Sequence, residues 1–133
     1  MNRLLNLCDK YTSKNNTNLK KVYEYIKISN ITSQLQKIDT NYFDELTQSI
    51  FKEKNNSYEI FIMKWEPGQV SLMHDRYKNG CCMILLSNNN NTLYEKSNYF
   101  DTYKKISSVN FIQSEKYSLK NVGVENVYTL HIF

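Results

Sequence analysis

The sequence predicts a mainly β, α+β fold: a small antiparallel sandwich or barrel behind a short N-terminal helical extension. Three observations predict it. From Tyr58 onward the chain divides into short β-rich runs, YEIFIMKW, QVSLMHD, CCMILL, TLYEK, KISSVNFI and NVYTLHIF. Turn signals separate them: EPGQ, YKNG, SNNNN and KNVG. Ahead of them Leu19, Val22, Tyr23 and Ile26, then Ile31, Leu35 and Ile38, keep the spacing of a helical stripe. At 133 residues the chain suits a single domain over 1–133, with a helical lead over 1–45 and a β-barrel over 46–133.

Asn18 and Asn30 stand where N-caps of two short amphipathic helices belong, and these helices are expected to pack on one end of the sheet. In the first strand Ile60, Ile62 and Lys64 share one face and Phe61, Met63 and Trp65 the other, so both faces are expected to be covered for most of its length. Pro67-Gly68 suits the centre of a type II turn, with Pro at the second place and Gly supplying positive φ at the third. The next strand carries His74, Asp75 and Arg76. Residues two apart share a strand face, so His74 and Arg76 would point one way and Asp75 the other. Cys81 and Cys82 then open an apolar strand in which buried, unreactive thiols are the ordinary condition.

Composition narrows the function classes. The start, MNRLLNLCDKYTSKNN, lacks the apolar core of a secretory signal and no run approaches eighteen apolar residues, so an intracellular, cytoplasmic protein with no membrane span is expected. Three cysteines, two of them adjacent, suit neither a disulfide framework nor a CxxC zinc pattern. The net charge is +4, but 15 of the 17 basic residues are lysines dispersed among acids. Without a dense basic stripe, nucleic acid is an unlikely partner. The 18 asparagines and 11 tyrosines, with many Lys and Ile, follow A/T-rich codons and point to a genome such as that of a parasite, slime mould or large DNA virus. Most of the tyrosines are expected to pack with the hydroxyl at the surface.

These residues resemble the cupin superfamily and, within it, the cysteine dioxygenase family of thiol dioxygenases. The first cupin motif has Gly, five residues, then His-x-His; here Gly68 is followed after five residues by His74, Asp75 and Arg76. Trp65, Pro67-Gly68, His74-Asp75 and Cys81 fall into the thiol dioxygenase register, and VYTLHIF places His131 at the late histidine. The resemblance implies a small cupin β-barrel, with Fe(II) held by histidines at one mouth and a thiol substrate oxidised by dioxygen to a sulfinate. By the same resemblance His74 and His131 are the metal ligands, and Arg76, Gln48 and Cys81 line a substrate or anion pocket.

The chain departs from that pattern in chemically specific ways. Arg76 stands at the second ligand position, and a guanidinium has no lone pair to give a metal and does not deprotonate. At about 4 Å and an effective dielectric of about 20 it would repel a divalent ion by on the order of 8 kcal/mol. Gln48 falls where the family places a carboxylate-clamping arginine, and an amide makes no bidentate charged pair. The tyrosine that crosslinks to the Cys81 position in some members has no counterpart, so Cys81 is expected to remain a free thiol.

Three outcomes are therefore open: a two-His iron site with lost or altered thiol dioxygenase activity, an active Fe(II) enzyme, or a non-catalytic scaffold without metal. In the last case, the ligand is a small anion, thiol or carboxylate at Arg76, or a protein at the surface.

Overall fold

The computed structural model describes residues 2–13, 16–35, 47–52, 58–72, 77–86, 92–97 and 100–133. Three helices come first: α1 (Asn2–Tyr11), α2 (Leu19–Ile28) and α3 (Ile31–Leu35), with a two-residue hairpin, β1 (Thr12–Ser13) and β2 (Asn16–Thr17), between α1 and α2. Asn18 caps α2, its Oδ1 accepting from the Lys21 N–H at 3.2 Å. The stripe Leu19, Val22 and Ile26 is buried as the spacing requires. The predicted continuation to Ile38 lies outside the described residues. Helix α1 was not anticipated. Its buried stripe, Leu4 and Cys8 with Tyr11 packed alongside, lies in a segment whose first residues read chiefly as lacking a leader signal.

The strands form two antiparallel sheets. One contains β3 (Thr47–Lys52), β4 (Glu59–Trp65), β11 (Val127–Ile132), β6 (Cys81–Leu85) and β9 (Val109–Ile112), in that spatial order. The other contains β5 (Val70–Leu72), β10 (Ser118–Asn121), β7 (Leu93–Ser97) and β8 (Phe100–Lys105). Phe61, Met63, Trp65, Cys81, Met83, Leu85 and Val127 of the first sheet share an interior core with Leu93 and Leu119 of the second. The opposite face of the first sheet, Ile60, Ile62, Cys82, Ile84, Leu130 and Ile132, is covered by Leu4, Leu19, Val22, Ile26 and Leu35. The helices thus lie across a sheet face, where an end had been expected, because only that face presents a continuous apolar surface wide enough for their stripes. Double coverage also explains the unbroken CCMILL run: every residue of β6 is buried.

The turns behave as their residues demand. Gly68 has φ +80° and the Gln69 N–H donates to the Glu66 carbonyl at 3.0 Å, closing the Pro-Gly turn. Gly80, with φ +105°, ends the YKNG turn, its N–H donating to the Tyr77 carbonyl at 3.2 Å. KISSVNFI is not one strand. It is the point at which the chain changes sheets: β8 ends at Lys105 and β9 begins at Val109, with Ile106 N–H donating to Leu93 in one sheet and Leu85 N–H to Ser108 in the other. The Asn110 side chain fixes the bend, accepting from Ser107 N–H at 3.1 Å and donating to the Ser107 carbonyl at 2.7 Å. At another corner, the fully buried Asn121 amide donates to the Trp65 and Glu125 carbonyls at 2.9 and 2.8 Å, while its oxygen accepts from Thr92 Oγ1 at 2.6 Å and Gly123 N–H at 3.0 Å. Among the described residues no helix is long and apolar enough to cross a membrane.

Candidate functional site

Among the described residues a line of polar side chains runs through the barrel interior, and strand alternation determines which residues form it. On β11, Leu130 and Ile132 face the helices. Thr129 and His131, both 0 % exposed, therefore face the barrel interior. On β6 the same alternation sends Cys82 toward the helices and Cys81 inward. The register pairs His131 with Phe61 on β4 and with Met83 on β6, which brings Cys81 Sγ to 3.9 Å from His131 Nδ1.

The polar line begins at Trp65. Its indole can only donate, and Nε1 donates to Thr129 Oγ1 at 2.8 Å. Thr129 Oγ1 is in turn 2.6 Å from His131 Nε2, and His131 Nδ1 is 3.2 Å from the Tyr77 hydroxyl. Two tautomers satisfy this arrangement. With the proton on Nδ1, the ring donates to Tyr77 and Nε2 accepts from Thr129; with the proton on Nε2, the ring donates to Thr129 and accepts from Tyr77. Neither neutral form leaves a lone pair directed at an ion. The rings of Trp65 and Phe133 flank the imidazole at 6.5 and 5.9 Å between centroids, the latter nearly parallel at 20°.

From Tyr77 the line continues toward the surface. The Tyr77 and Tyr117 rings are 4.7 Å apart, and the Tyr117 hydroxyl donates to Glu95 Oε2 at 2.6 Å. Burial first, and then the Glu95 charge, hold the Tyr117 phenol well above its ordinary pKa, so it remains a donor at all physiological pH. Lys104 Nζ approaches Glu95 Oε1 at 3.9 Å. Tyr117, Glu95, Ser97, Ser114 and Phe111 line a cavity of about 350 Å³ between the edge strands β8 and β9. Tyr77 and Tyr117 are exceptions to the expectation that most tyrosines keep the hydroxyl at the surface: they are 0 % and 2 % exposed.

The structure thus brings together two of the sequence-predicted site residues, His131 and Cys81. His74 and Arg76 lie outside the described residues. Gln48 is on the edge strand β3, its backbone paired with Ile62 of β4, so β4 and β11 stand between it and β6. Sequence reasoning missed Thr129, Tyr77, Tyr117 and Glu95. Thr129 could have been found, since it is two residues before His131 on one strand and must share its face. Tyr77 sits in a turn, where no periodicity predicts orientation.

Among the described residues no three His, Cys, Asp or Glu side chains gather as a metal-binding group. Among the described residues His131 engages Thr129 and Tyr77 through its two ring nitrogens.

Comparison with known proteins bears on the fold. No family model and no curated protein sequence matches the chain. Solved structures do match. The cupin domain of Cnp3 from Schizosaccharomyces pombe is similar at 19% identity and a TM-score of 0.50, over 65% of this chain and 57% of that one. The Cupin_2 domain of an XRE-family transcriptional regulator from Enterobacter cloacae is similar at 11% identity and a TM-score of 0.53, over 65% of this chain and 90% of that one. A cupin superfamily protein from Desulfitobacterium hafniense aligns over 78% of this chain and 86% of its own, at 12% identity and a TM-score of 0.50. At such identities the likeness is one of architecture: two antiparallel sheets around a common interior, here with three short helices on one outer face, have the cupin fold.

Proposed function

We propose that this chain is a divergent, cysteine-dioxygenase-like cupin whose metal site is reduced, so that thiol dioxygenase activity is lost or altered and the barrel serves as a binding scaffold for a small thiol or carboxylate. The observation that carries the reading is the closed hydrogen-bond arrangement at His131, in which both ring nitrogens are engaged by Thr129 and Tyr77. Arg76 at the second ligand position supports it independently, because its charge opposes a divalent ion and attracts an anion. In this reading, His74 is an inherited neighbour of the pocket and the cationic side chain stands in for the metal's charge.

The alternative, an active Fe(II) enzyme, draws on the proximity of Cys81 Sγ to His131, a soft donor beside an imidazole. Elemental analysis separates the two. Native protein and Arg76→His are reconstituted with Fe(II) without oxygen and their iron content compared. Well under one iron per chain in the native protein, rising in Arg76→His, supports the scaffold. Near-unit iron in the native protein, with oxygen-dependent sulfinate formation from cysteine, overturns it.

A further inference from the structure

The helical layer carries a groove that neither the barrel core nor the interior site uses. Helix α1 has two stripes. Leu4, Cys8 and Tyr11 pack toward the sheet, whereas Arg3, Leu7 and Lys10 line a groove of about 340 Å³ with Tyr25, Ser29 and Ile31 of the next two helices and their connection. Its floor is apolar: Leu7 is half-buried, and Tyr25 keeps 42 % of its surface exposed. Beyond it Ile28, 81 % exposed, is among the most solvent-accessible large apolar side chains of the described residues.

Both cations are held in place. Arg3 Nη1 donates to Asn30 Oδ1 at 2.7 Å, and Lys10 Nζ lies 5.4 Å over the Tyr11 ring, which itself stacks on Tyr25 at 5.1 Å. No ion pair among the described residues involves either; the three that occur join Lys21 to Glu24, Lys64 to Glu66 and Lys104 to Glu95. Seven residues along a helix separate Arg3 from Lys10, two turns or about 10 Å. Two unneutralised cations at that spacing, with an apolar floor between them, are complementary to an elongated ligand with two negative ends and an apolar middle.

We infer that this groove docks an acidic amphipathic peptide segment of a partner protein, with apolar anchors against Leu7 and Tyr25 and carboxylates about two helical turns apart facing Arg3 and Lys10. The concavity favours a peptide over a lipid surface, because a planar bilayer cannot fill a cleft between helices. This face lies on the opposite side of the five-stranded sheet from the polar line at His131, so the docking is independent of the iron question.

The test is selection of a displayed library of random 16-residue peptides on the whole native chain, with Arg3→Glu/Lys10→Glu as counter-selection. Recovered peptides should carry two acids six to eight residues apart flanking apolar residues at helical spacing. Their affinity should fall by about tenfold or more in the charge-reversed variant and weaken with added salt. Tyr25→Ser should weaken them without altering the salt dependence. Lys10→Glu alone, which leaves the Arg3–Asn30 bond intact, gives the same direction of change should the double variant fold poorly. Recovery of peptides without paired acids, absence of enrichment, equal binding to Lys10→Glu, or sedimentation of the chain with anionic phosphatidylserine vesicles through Arg3 and Lys10 each overturns the inference.

Discussion

The two faces of the five-stranded sheet are built from the same three central strands, yet one contains only packing and the other a line of polar groups. Toward the helices β4, β6 and β11 present Ile60, Ile62, Cys82, Ile84, Leu130 and Ile132. Toward the barrel interior they present Phe61, Met63 and Trp65, then Cys81, then Thr129 and His131. Adjacent cysteines mark the division: Cys82 packs with Cys8 beneath the helices, and Cys81 stands beside the imidazole. Burial alone does not distinguish them, since both are 0 % exposed. The neighbours do. A thiol among aliphatic chains fills space, whereas a thiol 3.9 Å from a ring nitrogen belongs to a hydrogen-bonding environment with chemical consequences.

The contrast predicts how each face fails. The largest effect is expected on the helix face: Leu130→Ala removes a side chain that cannot be replaced by water and should cost about 2–5 kcal/mol in urea unfolding, without altering anything that binds in the interior. A cost near zero would mean that the helices rest only loosely on the sheet. On the interior face Thr129→Val, nearly isosteric, deprives the Trp65 N–H and one His131 nitrogen of their partner at once. It should cost about 1–3 kcal/mol and, unlike Leu130→Ala, shift the His131 imidazole resonances in an NMR spectrum. Unchanged resonances would show that Thr129 does not set the state of the ring.

A dependence on pH, confined to alkaline values, also belongs to the helix face. Burial, with the nearby Asp9 charge adding to it, pushes the Cys8 thiol from 9.0 up to about 12, and burial also pushes Cys82 well up. Both thiols keep their protons in the native state after the unfolded chain has begun to lose them. Their contribution to stability is therefore complete below about pH 9 and declines as pH rises toward 12, by up to about 1.4 kcal/mol per pH unit for each group. Urea midpoints measured from pH 8 to 10.5 should fall, and Cys8→Ala should make the decline shallower. A flat profile would place these thiols in contact with water.

Much of the fold was legible because alternation and turn chemistry are local. Tyr58–Trp65, the Pro67-Gly68 turn, the CCMILL strand and the α2 stripe behave as their residues dictate. What escaped depends on contacts distant in sequence. Nothing local in KISSVNFI says that the chain leaves one sheet for the other at Ile106–Ser108, because β-propensity continues through the bend and only the Asn110 amide marks it. The helices' position across a sheet face follows from which strand face is left uncovered, a property of the assembled sheet. At the interior site, His131 and Cys81 were legible as residue types at recognisable places, and Thr129 as the same-face neighbour of His131. Tyr77 and Tyr117 were not, since a turn and a loop place them and their partners lie 54 and 22 residues away.

Asn121 holds four hydrogen bonds across the corner where both sheets meet. Codon bias accounts for how many asparagines this chain contains, but not for this one. An amide offers two donors on one arm and an acceptor on the other, and here all three needs are met. Hydrolysis to aspartate would leave the shape intact and turn two donors into an acceptor facing the Trp65 and Glu125 carbonyls. Deamidation of this buried group would therefore release the corner that ties the sheets together, while the same ageing at an exposed asparagine would add one solvated charge.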